Sequence, residues 1–424
     1  MSEEPVSPPL AAGQGVLEYQ GPAASGGLNG GQGWVSTIGW AIYLGMSWTW
    51  CIGMFLPVLL IRDFGVWGWV VFAVPNVVGA AAMGWTIRSQ QQSRSMVEAH
   101  RVMAEAFSVI TTAFQVFFSL WLLSIWGPRW AISGWVVIAA GIPTMLATMR
   151  WPTFGRWAAI SVLAFSVAAI ARAYQSGQLE NLRGLQSALE LDAHRNHYSV
   201  AALAIVCTLG FALCPYLDLT FHRARQNLSS QTARTSFSLG FGVFFFAMIV
   251  FTLAYWMIVD GAYVRSYWPN SMGARAVAAY MVVQLTLTCA LHWSELEALS
   301  QLHGRWAVRW VLGSILLGFL ARLCVSLMPV TKVEPGEVVY RLFMGFYGLV
   351  FPAYVWICVM PHWQMPAPPS RRMWVVLAGA VVAAAPFYWA GFIANRMIWV
   401  VPGVVIVLLS RAAIQTDRTA PKIG

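Results

Sequence analysis

The chain has 424 residues, 58% hydrophobic and only 10% charged, against about 25% charged in a water-soluble domain. That balance excludes a cytosolic enzyme, a nucleic-acid-binding protein and a secreted disulfide scaffold. It predicts an all-α polytopic membrane protein, because each spanning helix takes about 20 apolar residues. The formal charge of +10 comes from 26 basic residues, all Arg except Lys332 and Lys422, and in such a chain it belongs to loops at the lipid headgroups.

Residues 1–33 are rich in Gly, Pro, Ser and Ala and carry no apolar run, so a disordered cytoplasmic tail is expected. They lack the basic start and short apolar stretch of a signal peptide, so the first span is expected to be retained. Twelve apolar segments follow, near 35–60, 66–87, 104–126, 131–149, 157–174, 198–217, 237–259, 274–293, 306–328, 338–360, 373–390 and 392–410. Trp clusters at their ends (Trp34, Trp67, Trp126, Trp130, Trp151, Trp306, Trp363, Trp374) as a headgroup-level belt. All six Cys fall in apolar runs and read as free, buried side chains. With the N-terminus inside, the cytoplasmic side collects fifteen Lys and Arg against eleven outside. This places both termini in the cytoplasm and the chain in the cytoplasmic (inner) membrane. Residues 175–197 are amphipathic, with Leu179, Leu182, Leu185 and Leu189 on one helical face, and are expected to lie along the outer surface.

The first span places Gly45, Ser47, Trp48, Thr49, Trp50 and Gly53 near the middle of one apolar run. Gly costs about 1 kcal/mol relative to Ala in a helix, and unwound backbone at membrane depth is tolerable where it lines a cavity. Close helix packing through small residues is the alternative reading. The sixth span repeats the feature, with Gly210 and Pro215 bracketing Cys214, followed by Tyr216, Asp218 and Thr220. Interrupted helices at positions one and six suggest two five-span units of opposite orientation, 35–174 and 198–360, with two extra helices in 361–424. Polar stripes mark the third span (Ser108, Thr112, Gln115, Ser119) and the eighth (Gln284, Thr288, His292, Glu295). Both are expected to face the bundle interior, for hydrogen bonding between helices or for a solute pathway. His292 with Glu295 has the spacing to pass a proton.

Leu56-Pro57, Phe64-Gly65 and Pro75-Asn76-Val77-Val78-Gly79 resemble the span-one to span-two region of nucleobase:cation symporters. The run Cys214-Pro215-Tyr216-Leu217-Asp218-Leu219-Thr220-Phe221 is similar to the Asp-aromatic-Ser/Thr-Arg sequence closing span six there, with Leu219 and Phe221 replacing the aromatic residue and the Arg. The chain thus resembles the LeuT-type five-plus-five superfamily, with sodium:solute symporters as a second relative. The resemblance implies a solute held between spans one and six, with spans three and eight completing the site. It also implies a sodium ion between spans one and eight. Adjacent hydroxyls are usual there, but Thr286 and Thr288 lie about 200° apart on a helix, which leaves proton coupling through His292 or Glu295 as the substitute.

These readings together predict an ion-coupled secondary transporter of a small organic solute. Gly45, Ser47, Trp48, Trp50, Gly53, Gln115, Gly210, Cys214, Tyr216 and Gln284 would serve the solute, and Thr286, Thr288, His292, Glu295 and Asp218 the coupling ion, Na+ or H+. The partners expected are the lipid bilayer and a small-molecule substrate. No cofactor, metal, nucleic acid or enzymatic activity is expected. A non-transporting receptor or scaffold on the same fold is the alternative.

Overall fold

The computed structural model describes residues 33–125, 132–175, 186, 188–189, 197–265, 271–301, 308–329 and 333–415. The expected tail (but for Gly33) and nearly all of the amphipathic connection 175–197 lie outside the described residues. Among those described every regular element is helical, and ten helices are long and apolar enough to cross a membrane. The chain is therefore an all-α multi-pass membrane protein. Ten is fewer than the twelve expected segments because the first is split, its second half running on into the next span, and the fourth is short.

The elements are α1 (Trp34–Trp48), α2 (Cys51–Thr86), α3 (Gln90–Ala99), α4 (Arg101–Ile125), α5 (Ile132–Arg150), α6 (Phe154–Gln175) and α7 (His197–Leu213). After the tight turn Cys214–Leu217 come α8 (Leu219–Asn227), α9 (Ser230–Leu239), a π-helical turn Gly240–Phe245, and α10 (Phe246–Arg265). Then follow α11 (Met272–Gln301), α12 (Val308–Leu327), α13 (Pro335–Gly345) and α14 (Phe351–Tyr354), with π turns at Phe346–Val350 and Val355–Val359. The chain ends in α15 (Arg371–Tyr388), α16 (Val400–Ser410) and α17 (Ala412–Gln415). Ser89, Asp218, Ser229, Glu334 and Ser370 each accept a first-turn backbone N–H at a helix start, as helix N-termini require.

The long α11 forms the centre, packed on α4, α5 and α6 and buried along most of its length. α7 packs along α2. The outer helix α12 exposes Leu312, Leu316, Leu320 and Leu323, a face suited to lipid. Cys324 lies on the same helix and is exposed, which corrects the expectation that all six Cys are buried; the other five are. Helix α12 is peripheral, so an apolar run there faces outward instead of toward a core.

α2 joins the second half of the first span to the second span through a kink at Gly65, whose φ is 71°. With ψ at −161° this backbone is open essentially to Gly alone, and it costs another residue about 1–3 kcal/mol. Gly65→Ala is therefore expected to lower stability by about that amount, read as a reduced unfolding midpoint. An unchanged midpoint would argue against a positive-φ kink.

Candidate functional site

The first break falls at two residues without glycine's freedom. α1 stays helical through Trp48; Thr49 takes φ −83°, ψ 79° and Trp50 φ −114°, ψ −172° before α2 begins. Side-chain hydroxyls bond carbonyls in this last turn of α1: Thr49 Oγ1 donates to Gly45 O at 2.8 Å and Ser47 Oγ to Leu44 O at 3.1 Å. The Cys51 N–H donates across to Gln115 Oε1 of α4 at 3.2 Å. Gly45 lies inside α1 and serves close packing: a Cβ there would sit 2.8 Å from Gly240 O and 2.9 Å from Phe244 Cβ.

The second break is the turn Cys214–Leu217 with Asp218, which caps α8. Asp218 Oδ1 accepts from the Thr220 N–H and from Thr220 Oγ1, both at 2.7 Å. Thr220 Oγ1 also lies 3.2 Å from Ser47 Oγ, so the two breaks meet at this pair of hydroxyls. Gly210 lets α7 approach the π turn at Phe346–Val350, since a Cβ there would lie 2.8 Å from Tyr347 O. Cys214 Sγ donates to the same carbonyl at 3.4 Å.

Between the breaks is a small void of about 10 Å³ lined by Trp48, Trp50, Ile52, Gly53, Asn76, Phe211, Cys214 and Tyr347, room for about one water. Aromatic rings close it. Trp48 and Trp50 meet edge-on at 4.7 Å, Trp50 meets Tyr347 at 5.2 Å, and Phe107 lies parallel to Trp48 at 6.5 Å. Trp48 Nε1 donates to Asn76 Oδ1 at 2.7 Å, and Tyr347 and Thr111 share a 2.9 Å hydrogen bond. No charged side chain lines the void. Phe211 and Tyr347 separate it from a second cavity, of about 60 Å³, between α2, α7 and α13, whose lining is apolar except at Asp63 and Arg341.

The stripes on α4 and α11 face each other, with His292 Nδ1 3.1 Å from Ser108 Oγ. Gln284 Nε2 donates to Ser166 Oγ at 3.2 Å and lies 3.4 Å from Met46 Sδ of α1. Thr288 Oγ1 is buried without a hydrogen-bond partner. Thr286 is turned away and donates to its own helix at Val282 O, 2.8 Å. The expected His292–Glu295 pairing is replaced by two others. Glu295 Oε1 lies 3.9 Å from Arg223 Nε, and His292 Nε2 lies 3.9 Å from Asp218 Oδ2.

Tyr216 does not reach the void. Its hydroxyl bonds Thr86 at 2.9 Å and its ring meets Trp363 edge-on at 4.8 Å, on the side where α3 packs against α8. There His222 Nε2 donates to Tyr216 O at 3.0 Å, which leaves Nδ1 to accept from Ser93 at 2.8 Å. Arg225 donates to Ile87 O at 2.7 Å, tying α8 to the end of α2. His100, at the join of α3 and α4, is pushed down to about 4 by burial, then by nearby His362 and His222, so it is neutral at neutral pH.

The opposite end is closed by charge. Arg62, at the kinked end of α2's first half, grips Glu337 of α13 through Nη2–Oε1 at 2.7 Å and Nη1–Oε2 at 3.0 Å. Arg341 reaches Asp63 Oδ2 at 2.7 Å and Phe392 O at 2.6 Å. Such paired forks fix geometry as well as charge. Glu337→Gln is expected to loosen this latch. In a protein keeping Cys207 as its sole cysteine, that thiol lines the apolar cavity and should react with maleimide about tenfold faster, as about 1.4 kcal/mol lost from the closed state implies. Equal rates would mean that the latch does not guard the cavity.

Sequence reasoning named Asn76 only within the family resemblance and did not single out Phe107, Phe211, Tyr347, Asp63 or Glu337. Two signals point to some of them. A lone Asn inside an apolar span needs a partner, and Arg62-Asp63 with Glu337 and Arg341 places opposite charges at the ends of two spans. No protein-family model matches the chain, and no curated protein matches it.

Proposed function

We propose that this chain is a secondary active transporter, an ion-coupled symporter that moves a small organic solute across the cytoplasmic membrane by alternating access. The observation that carries the reading is the meeting of two interrupted helices at a closed central void, with an ionic latch toward one end and a polar clamp of α3 on α8 toward the other. The void as it stands holds about one water, so a solute enters as the rings part; once there it is screened from both sides, and opening one closure at a time gives alternating access. In this reading the frame is a five-plus-five inverted repeat with two added helices, both termini are cytoplasmic, and the α3 side is the inner one. Trp48, Trp50, Gly53, Asn76, Cys214 and Tyr347 face the solute, while Gly45 and Gly210 allow the breaks to approach their neighbours. Gln115 and Gln284 hold the first break in place from α4 and α11. The uncharged lining favours a neutral or weakly polar solute, because burying an unpaired charge is costly. No cofactor and no chemical step are needed.

The test is uptake into proteoliposomes from a panel of radiolabelled neutral and charged solutes, with sodium and proton gradients imposed separately. Accumulation of one solute class under one gradient supports the reading. Absence of any accumulation, in protein that remains folded, would favour the receptor or scaffold.

A further inference from the structure

We propose that Asp218 and His292 form a single proton-binding site, and that the proton shared by this pair is the coupling ion. What the proton drives rests on the transporter reading above; the site itself does not. Both side chains are fully buried, on separate elements. Each has one end already committed: Asp218 Oδ1 accepts from Thr220, and His292 Nδ1 pairs with Ser108. Each has one end left over, and Asp218 Oδ2 and His292 Nε2 both lack a hydrogen-bond partner. The two leftover atoms face each other at 3.9 Å, beyond the roughly 2.7–3.2 Å of a hydrogen bond.

With the neutral imidazole's hydrogen on Nδ1 and donated to Ser108 Oγ, both leftover atoms are acceptors, and one added proton resolves this arrangement. An imidazole nitrogen and a carboxylate oxygen that share a proton close to hydrogen-bond length, whereas without it an unpaired carboxylate stays buried, which is strongly unfavourable. The loaded pair therefore suits the closed state, and the unloaded pair suits a state in which water has entered. Proton exchange is thereby confined to open states, which is what coupling requires. A small hard cation fits less well: it prefers oxygen ligands, and one of the two leftover atoms is an imidazole nitrogen.

The surrounding groups leave the pair as the place where charge changes. On α8, Arg223 is matched to Glu295 of α11, while His222 and Arg225 are engaged with Ser93, Tyr216 and Ile87. Tyr43 of α1 lies within electrostatic range of Asp218, Glu295 and Arg223; Cys214 and Tyr347 lie within range of Asp218. Arg156 of α6 lies near Arg223, and Glu105 stands one turn before Ser108 on α4. The pair is also wired to both breaks, because Asp218 caps α8 and its partner Thr220 reaches Ser47. Loading or unloading the carboxyl alters that cap, which an ionised Asp stabilises more than a neutral one.

Infrared difference spectroscopy on the purified full-length protein, titrated between about pH 5 and about pH 9 around the ordinary His range, tests the site without any solute. A protonated-carboxyl band is expected that titrates, is absent from Asp218→Asn, and moves its midpoint by about one pH unit or more in His292→Gln. No titrating carboxyl band in the unmodified protein, or a band unchanged in Asp218→Asn, overturns the proposal. Should Asp218→Asn not fold, His292→Gln and Ser108→Ala decide, and a midpoint unmoved in both overturns it. The band without solute accumulation under any gradient would keep the proton site and defeat the transporter reading. Sodium-driven, pH-independent uptake without the band would do the reverse.

Discussion

Replacing Trp48 by alanine is expected to destabilise the protein by about 3–5 kcal/mol, the range for removing a large buried aromatic ring, and, on the transporter reading proposed above, to abolish solute binding. The ring is 3% exposed and sits where the two breaks meet. It contacts Trp50 at 4.7 Å, Phe221 at 4.9 Å and Phe107 at 6.5 Å, so its removal opens a cavity among rings that cannot collapse together while other helices hold them. Within a membrane this loss is chiefly one of packing, in which dispersion contacts dominate. The substitution also strands Asn76 Oδ1, which accepts the indole N–H at 2.7 Å, and a buried acceptor left unpaired costs about 1–3 kcal/mol. Trp48→Phe separates the two effects: it keeps a ring in place but leaves Asn76 unpaired, so about 1–3 kcal/mol is expected. Unfolding of the purified protein in detergent, followed by tryptophan fluorescence, measures both. Equal losses for Phe and Ala would place the effect in the hydrogen bond alone, and no loss in either would remove Trp48 from the centre of the fold.

Much of the frame was legible in the sequence, because a bilayer leaves few choices. The apolar runs marked the helices, and Gly, Ser, Thr and Pro inside two of them marked the breaks near Thr49–Trp50 and Cys214–Asp218. The stripes on α4 and α11 were readable as facing inward, and the Ser108–His292 contact joins them. The positions of atoms within that frame were not legible. Gly45 drew attention as a helix breaker, yet the helix runs through it and turns at Thr49, where a side-chain hydroxyl takes over a backbone carbonyl. Tyr216 was the obvious aromatic beside the second break, but the tight turn carries it toward α3, and the π turn at Phe346–Val350 supplies Tyr347 to the void instead. Glu295 stands three residues from His292, which suggested a pair. α8 brings Arg223 to Glu295 and Asp218 to His292 from the other side. Arg62 and Glu337 are 275 residues apart, and no local pattern links them. Pairings between elements depend on how helices dock, and a helical period carries no such information.

The Arg223–Glu295 contact carries the other large expected effect. The two side chains are 6% and 2% exposed, and their charged atoms stand 3.9 Å apart, joining α8 to α11 beside the α3 clamp. Removing one member of a buried pair takes that counter-charge from the other member, a loss of about 3–5 kcal/mol. Arg223→Ala is therefore expected to fall in that range. Adding Glu295→Gln to the same chain removes the carboxylate's charge, so most of the loss should return. The double variant would then be far more stable than the sum of the two single losses predicts, the signature of direct coupling in a double-mutant cycle. Strictly additive losses would mean that each residue acts through other neighbours. Because the pair fastens α8 to α11 on the α3 side only, Arg223→Ala should also free that side first. Cysteines placed near Arg94 should label faster in that variant, while Cys207 beside the opposite latch should not. Acceleration at both positions would instead point to general loosening, and the pair would then be a stabiliser of the whole bundle, not a closure of one side.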